Sequence, residues 1–244
     1  MKLLPHLYQV CGNMYASHQN VYVIEAENSL ILIDAGLGEK DLKIIQSKID
    51  YWGLNHKKIL HVLLTHEHYE HISNAAFWQK NGAKVIAHSS AAKNIELGGV
   101  HIGEYRYLDF GSVEDFTVDT TVEDASVIEL DGVMIKTTHT PGHSDGSVLY
   151  EVTLDNQVVV FSGDAVLMTV LVHKAAFGWS GDLNYNVDQY IESMKKISGT
   201  KADILLPGHG EICMRKAEKM FTGAYLLARL NLDRDYSRRP VITQ

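Results

Sequence analysis

The segment that most restricts this chain is Thr65-His66-Glu67-His68-Tyr69-Glu70-His71, with three histidines and two carboxylates packed into residues 66–71. Imidazole and carboxylate are preferred zinc ligands, and imidazole also suits iron. On a helix His66 and His68 would point in different directions, because helical neighbours lie three or four residues apart. On an extended or looped segment, residues two apart share a side. Ile59–Thr65 reads as a buried strand running directly into the cluster. The expectation is therefore a strand-end loop that grips metal. It is not the helical H-E-x-x-H motif, since Glu70 stands where that motif needs histidine.

Three later positions repeat the same local grammar. His143 lies in Thr140-Pro141-Gly142-His143 between two strands, Asp164 follows Val158–Phe161 through Ser162-Gly163, and His209 follows Asp203–Leu206 through Pro207-Gly208. In each case a strand ends, glycine lets the backbone turn sharply, and a metal-type ligand is presented at the turn. Strand ends are where layered α/β proteins build their sites.

The rest of the chain alternates strands and helices. Val21–Glu25 and Ser29–Asp34 read as strands, and the apolar run Leu30–Ile33 reads as buried on both faces. Leu42, Ile45, Ile49 and Trp52 recur at helical spacing before a stop at Gly53. A helix is expected over Ser73–Lys80 and a strand over Lys84–Ala87. Two hairpins follow, Val127–Leu130 with Val133–Thr138 about Asp131-Gly132, and Ser147–Thr153 with Gln157–Phe161 about Asp155-Asn156. Val187–Ile197 reads as a helix with Tyr190, Ile191, Met194 and Ile197 on one face, Asp203–Leu206 as a strand, and Lys216 to Leu232 as a last helix. No Pro/Ser-rich linker divides the chain, so one domain over residues 1–244 is expected. This pattern places helices over sheets, and it leaves a doubly wound sheet and two packed sheets both open.

Composition narrows the partners. With 45% hydrophobic and 21% charged residues, a normal core is available without disulfides or a structural metal. A net charge of −8 weighs against a nucleic-acid backbone as partner. It does not exclude an anionic substrate, because bound divalent cations reverse the local sign. Cys11 and Cys213 stand far apart, which favours a reducing compartment. No stretch is long and apolar enough to span a bilayer, and Pro5 and His6 interrupt any apolar signal region. A cytoplasmic protein acting on a small molecule, without nucleic-acid or membrane partners, is expected.

Taken together, Thr65–His71, His143, Asp164 and His209 resemble the metallo-β-lactamase superfamily. Its pattern is T-H-x-H-x-D-H followed by a His in a P-G-H segment, an Asp in a G-D segment and a His in a G-H segment. The resemblance spans nearly the whole chain in the correct order. It implies an αββα sandwich with the metals at one edge, between the two sheets. It further implies two divalent metal ions, zinc first, with iron and manganese as alternatives. His66, His68 and His143 would hold one ion, His71, His209 and Glu70 the other, and Asp164 would bridge them, with hydroxide between the metals as nucleophile. Asp34 matches the family's early Asp, which supports the ligands rather than binding metal. The departure is Glu70, which is one methylene longer than the family's Asp and acts either as second-metal ligand or as a base.

Among family activities, nucleases often carry large insertions or basic arms, which are not visible here. Glyoxalase-II-like thioesterases carry a long helical extension, whereas residues 210–244 leave room for one helix and a tail. Hydrolysis of a small ester, lactone or thioester is therefore the leading expectation. An iron site resembling the family's sulfur dioxygenases, or a non-catalytic metal-binding protein, are the alternatives. Two aromatic loops are candidates for the pocket wall or for a satellite core. One spans about 95–121 with Tyr105, Tyr107, Phe110 and Phe116, and the other spans 166–185 with His173, Phe177, Trp179 and Tyr185. Leu226, Leu227 and Leu230 of the last helix pack either on the core or on a second subunit, which leaves a homodimer open; Arg234, Arg238 and Arg239 read as a solvated tail.

Overall fold

The computed structural model describes residues 1–104, 113–168, 174–178 and 180–231. Its first sheet contains β1 (Lys2–Leu4), β2 (Leu7–Cys11), β3 (Val21–Glu25), β4 (Leu30–Ile33), β5 (Ile59–Leu63), β6 (Lys84–His88) and β7 (Thr120–Val122), side by side in chain order. The strands from β1 to β4 pair antiparallel and those from β4 to β7 pair parallel. The parallel connections carry α1 (Gly38–Tyr51), α2 (Tyr69–Ile72), α3 (Ala75–Lys80) and α4 (Ser89–Leu97). The second sheet contains β8 (Val127–Leu130), β9 (Val133–His139), β10 (Val148–Leu154), β11 (Gln157–Gly163) and β14 (Ile204–Pro207). Its order is β14-β11-β10-β9-β8, antiparallel except for the β11–β14 pair. A short ribbon of β12 (Leu167–Met168) and β13 (Ala175–Ala176) follows β11, and α5 (Val187–Ile197) and α6 (Glu218–Asn231) complete the chain described.

The period-two alternation of the strands decides the layering. In β4, Ile31 and Ile33 join Tyr22, Leu63, Tyr150, Phe161 and Leu206 in the core between the sheets. Leu30 and Leu32 face the opposite way, onto Ile45 and Ile49 of α1 and Trp78 of α3. In β11, Val159 and Phe161 face inward, while Val160 meets Tyr190 and Met194 of α5 and Phe221 of α6. Each sheet thus has one face on the other sheet and one under helices, which gives the αββα sandwich and removes the doubly wound alternative. The helices form for local reasons. Tyr190, Ile191, Met194 and Ile197 give α5 one buried face, the Asn186 Oδ1 caps it by accepting from the Gln189 N–H at 3.1 Å, and Lys195 and Lys196 sit in its last turn. The chain leaves α1 through Gly53, at φ +68°.

Several boundaries differ from the sequence expectation. The helix expected over Ser73–Lys80 starts at Ala75, as α3, because Asn74 turns its side-chain amide onto the Ala35 and Gly38 carbonyls, at 3.1 and 3.0 Å. The cluster expected as a strand-end loop is one only through His68; Glu70 and His71 lie on the short helix α2. The strands β1 and β2 were not expected from the sequence. Nor was α4, which buries only Ala91 and the polar Asn94 and so shows no apolar stripe. The stretch expected as a loop over about 95–121 begins inside α4, continues through a 3-10 turn at Gly99–Ile102 and reaches β7. No helix among the described residues is long and apolar enough to cross a membrane.

Candidate metal centre

All seven residues singled out in the sequence converge at one edge of the sandwich. β5 leads into His66, His68, Glu70 and His71, and β9 leads into His143. β11 ends beside Asp164, and β14 ends beside His209. Because β4 and β5 are parallel, and β11 and β14 are parallel, their C-terminal ends open onto the same edge. The donor atoms form two groups, His66, His68 and His143 in one and Glu70, His71, Asp164 and His209 in the other, with the atoms in each group within 4.8 Å of one another. Asp164 lies between them. Its Oδ2 is 3.6 Å from His143 Nε2 and 3.4 Å from His209 Nε2, and its Oδ1 is 3.7 Å from His71 Nε2. The side chains of His209 and Glu70 are 26% and 21% exposed, whereas His66, His68, His71, His143 and Asp164 are buried. Solvent therefore reaches the centre from the Glu70 and His209 side.

Hydrogen bonds behind the centre orient its imidazoles. Asp34, in the left-handed region at φ +60°, accepts from Thr65 N at 2.8 Å, Thr65 Oγ at 2.9 Å and His71 Nδ1 at 3.0 Å. Since the Thr65 hydroxyl donates to Asp34, its oxygen is left to accept from His66 Nδ1 at 3.1 Å. The carbonyl of His18 accepts from His209 Nδ1 at 2.9 Å. Asp182 Oδ2 stands 3.3 Å from His68 Nε2. The Asp34 carboxylate and the His18 carbonyl each keep a proton on the ring nitrogen they bind, which turns the other nitrogen's lone pair inward. Asn20 steadies the His209 turn by donating to the Pro207 and Gly210 carbonyls, at 2.9 and 3.2 Å. Sequence reasoning missed Asp182 and Asn20, whose only signal is their position in the folded chain, and it gave Glu67 no role.

This donor set fits divalent cations. His143 Nε2 faces His68 Nδ1 at 3.1 Å, and His71 Nε2 faces His209 Nε2 at 3.1 Å. Two lone pairs that close repel unless a cation or a proton lies between them. Nitrogens bound to tetrahedral zinc at about 2.0–2.1 Å are spaced about 3.3–3.4 Å apart. His66 Nε2, Glu70 Oε2 and Asp164 Oδ1 are buried without a hydrogen-bond partner, a costly arrangement unless a cation is coordinated. The electrostatics differ between the two groups. Burial, then the neighbouring imidazoles, hold His66 well below the ordinary histidine value. Burial opposes protonation of His71 as well, but the charge and hydrogen bond of Asp34 outweigh it and raise His71 to about 9. Burial pushes the Glu70 carboxyl up, and His71, His68 and His209 more than offset it, leaving Glu70 below the ordinary carboxylate value.

Close backbone approach at Gly208 brings the two halves together. A Cβ there would lie 2.4 Å from Asp164 Oδ1 and 2.8 Å from His71 Cε1. Of the aromatic residues expected to line a pocket or to pack a satellite core, the described ones pack. Phe116 packs against the core outside the first sheet. Phe177 and Tyr185 pack against Tyr190 of α5, at ring-centroid distances of 5.9 and 5.7 Å. Tyr105, Tyr107, Phe110, His173 and Trp179 lie outside the described residues, as do Arg234, Arg238 and Arg239. In α6 the core side is Phe221, Ala224 and Ala228, while Leu226 is 46% exposed. Cys11 and Cys213 are buried free thiols, and burial pushes the Cys11 thiol up to about 12.

The family model of the metallo-β-lactamase superfamily matches residues 14–209, and the chain belongs to this hydrolase superfamily. An atrochrysone carboxyl ACP thioesterase of Aspergillus fumigatus is 25% identical over 215 residues, covering 86% of this chain and 56% of that protein. The probable metallo-hydrolase YybB of Bacillus subtilis is 30% identical over 152 residues, covering 62% of this chain and 64% of that protein. The chain thus spans between about half and two thirds of the length of these curated relatives. Among solved structures, BJP-1, a subclass B3 metallo-β-lactamase of Bradyrhizobium japonicum, superposes with a TM-score of 0.71 at 24% identity, covering 92% of this chain and 88% of that one.

Proposed function

We propose that this chain is a metal-dependent hydrolase of small acyl compounds, with thioesters first and esters and lactones next, working through two divalent ions, zinc by preference. The observation that carries this reading is the pair of donor groups with Asp164 between them. His66, His68 and His143 would hold one ion, Glu70, His71 and His209 the other, and Asp164 would serve both. When bound, such ions polarise a carbonyl oxygen and lower the pKa of water toward about 7. The chain's own part is preorganisation. Asp34, the His18 carbonyl and Asp182 fix the ring orientations of His71, His209 and His68, so little reorganisation is left for the reaction. Glu70 and His209, the solvent-reached members, lie where a small substrate arrives. The thioesterase relative favours the thioester among acyl substrates.

The test combines metal analysis of protein purified without added metal with a panel of thioesters, lactones, esters, β-lactams and phosphodiesters. The expected result is about two zinc ions per chain and acyl hydrolysis that chelation abolishes. A single iron with oxygen-dependent turnover would instead make the protein an oxygenase. Phosphodiester cleavage without acyl hydrolysis would overturn the substrate class.

A further inference from the structure

Glu67 lies between two candidate ligands in sequence, yet its carboxylate belongs to neither donor group. It is wholly buried, and no lysine or arginine pairs with it among the described residues. Its oxygens are used differently. Oε1 accepts from Asn94 Nδ2 at 2.7 Å and from Gly146 N at 3.1 Å, and Oε2 accepts from Ser144 Oγ at 2.8 Å. The donors come from α4 and from the turn that carries His143. That turn lies against α4 at backbone contact, since a Cβ on Gly146 would fall 2.4 Å from Ala91 Cβ and 2.5 Å from Ala91 N. Glu67 thus joins three segments. Its chain neighbours are His66 and His68, and Ser144 is the chain neighbour of His143.

We propose that Glu67 is the positioning residue of the three-histidine half of the centre, holding the His143 turn in register with His66 and His68. It acts through its acceptor oxygens rather than its charge. Asp34 has the corresponding place behind the other half, where it binds Thr65 and His71. The proposal rests on the metal reading above. It also predicts which substitution is tolerated. In Glu67→Gln the amide oxygen can still accept from Asn94 and Gly146, and the amide nitrogen can donate to Ser144 Oγ. That hydroxyl can in turn donate to Ser147 Oγ, 2.9 Å away. Gln therefore keeps the tether and removes the charge, Ala removes both, and Ser144→Ala cuts only the link to the His143 turn.

The experiment compares Glu67→Gln, Glu67→Ala and Ser144→Ala with the unaltered chain. Cobalt(II) titration followed by its visible absorption reads the metal sites, and amide hydrogen exchange over residues 140–147 of the metal-free protein reads the turn. Glu67→Ala is expected to weaken the three-histidine cobalt step by about 10–100-fold, with a smaller loss in Ser144→Ala. Both should exchange faster over 140–147, while the cobalt step of the Glu70, His71 and His209 group is retained. Glu67→Gln should remain within about threefold of the unaltered chain and regain its cobalt spectrum. Folded Ala variants with unchanged cobalt binding and exchange would overturn the proposal, and so would equal losses in Gln and Ala. If the unaltered chain takes up no cobalt, the metal reading fails separately. The exchange data still decide whether the tether exists: faster exchange in Ala but not Gln upholds it, and equal exchange rejects it.

Discussion

At the scale of single residues, the candidate centre depends on side chains outside its two donor groups. Asp34 and Asp182 each engage the outer nitrogen of an imidazole, and the Asp34 bond keeps the inner lone pair of His71 available to a cation. Glu70 belongs to the second donor group, and its Oε2 is buried without a hydrogen-bond partner. If it ligates the second ion, Glu70→Gln leaves one tight ion and one weakened ion with reduced hydrolysis, because the amide oxygen coordinates without the favourable charge. Glu70→Asp is expected to keep partial activity, since Asp keeps the charge but draws the carboxylate back by one methylene. Metal content and rate measured on the same Gln preparation decide the matter: unchanged metal with lost turnover assigns Glu70 as a base instead. Gly208→Ala gives a steric counterpart. Its Cβ would press on Asp164 Oδ1, so metal content should fall and folding stability drop by about 1–3 kcal/mol, the usual range for overpacking. Metal analysis with urea melts checks both.

At the scale of elements, strand ends meet away from the candidate metal centre as well. β6 ends at His88 and β9 ends at His139, and their rings stack with centroids 3.7 Å apart and planes at 11°. Burial, then the His139 ring, hold His88 at about 4, against the opposing pull of Glu123 and Asp124; Lys196 acts in the same direction as His139. The folded value lies below the ordinary 6.5. The unfolded chain therefore takes up a proton before the folded chain does. This contribution to stability is intact above about 6.5 and is lost as pH falls toward 4. His88→Asn is expected to flatten the stability decline across that window in urea melts. Asn also keeps a capping acceptor for the Ser90 N–H, which His88 Nδ1 supplies at 3.2 Å. An unchanged slope would count against the assignment.

At the scale of the molecule, the centre sits on the joint between the two sheets. Val148 N donates to the Thr65 carbonyl and Tyr150 OH to the Leu64 carbonyl, both at 2.9 Å, and Tyr22 OH reaches the Pro207 carbonyl at 2.7 Å. Ions bound there favour only the folded chain, in which both halves are present. At a free concentration about 100 times the dissociation constant, each site adds roughly 2.7 kcal/mol, or about 5–10 °C in Tm for a chain of this size. Calorimetry before and after chelation should show a fall of that order for each ion removed. The sandwich should persist after chelation, because its three apolar clusters lie outside the centre.

The division between what could be read along the chain and what required the fold follows from the range of each interaction. The run Leu30–Ile33, the α5 face of Tyr190, Ile191, Met194 and Ile197, and the strand-end turns presenting His66, His143, Asp164 and His209 were all legible, because periodicity and glycine turns act over a few residues. The same local rules missed α4, whose buried residues are Ala91 and Asn94, missed α2 over Tyr69–Ile72, and started α3 too early, because Asn74 bonds back to the β4–α1 turn. The sorting of seven candidate ligands into two groups came from the family resemblance rather than from local rules, and the supporting roles of Asp182, Glu67 and Asn20 were left to tertiary packing. Glu67 meets Ser144 across 77 positions, and Asn20 meets Pro207 across 187. No local pattern encodes such pairs. They exist only because hydrophobic burial on both faces of two sheets brings the ends of β5, β9, β11 and β14 to one edge.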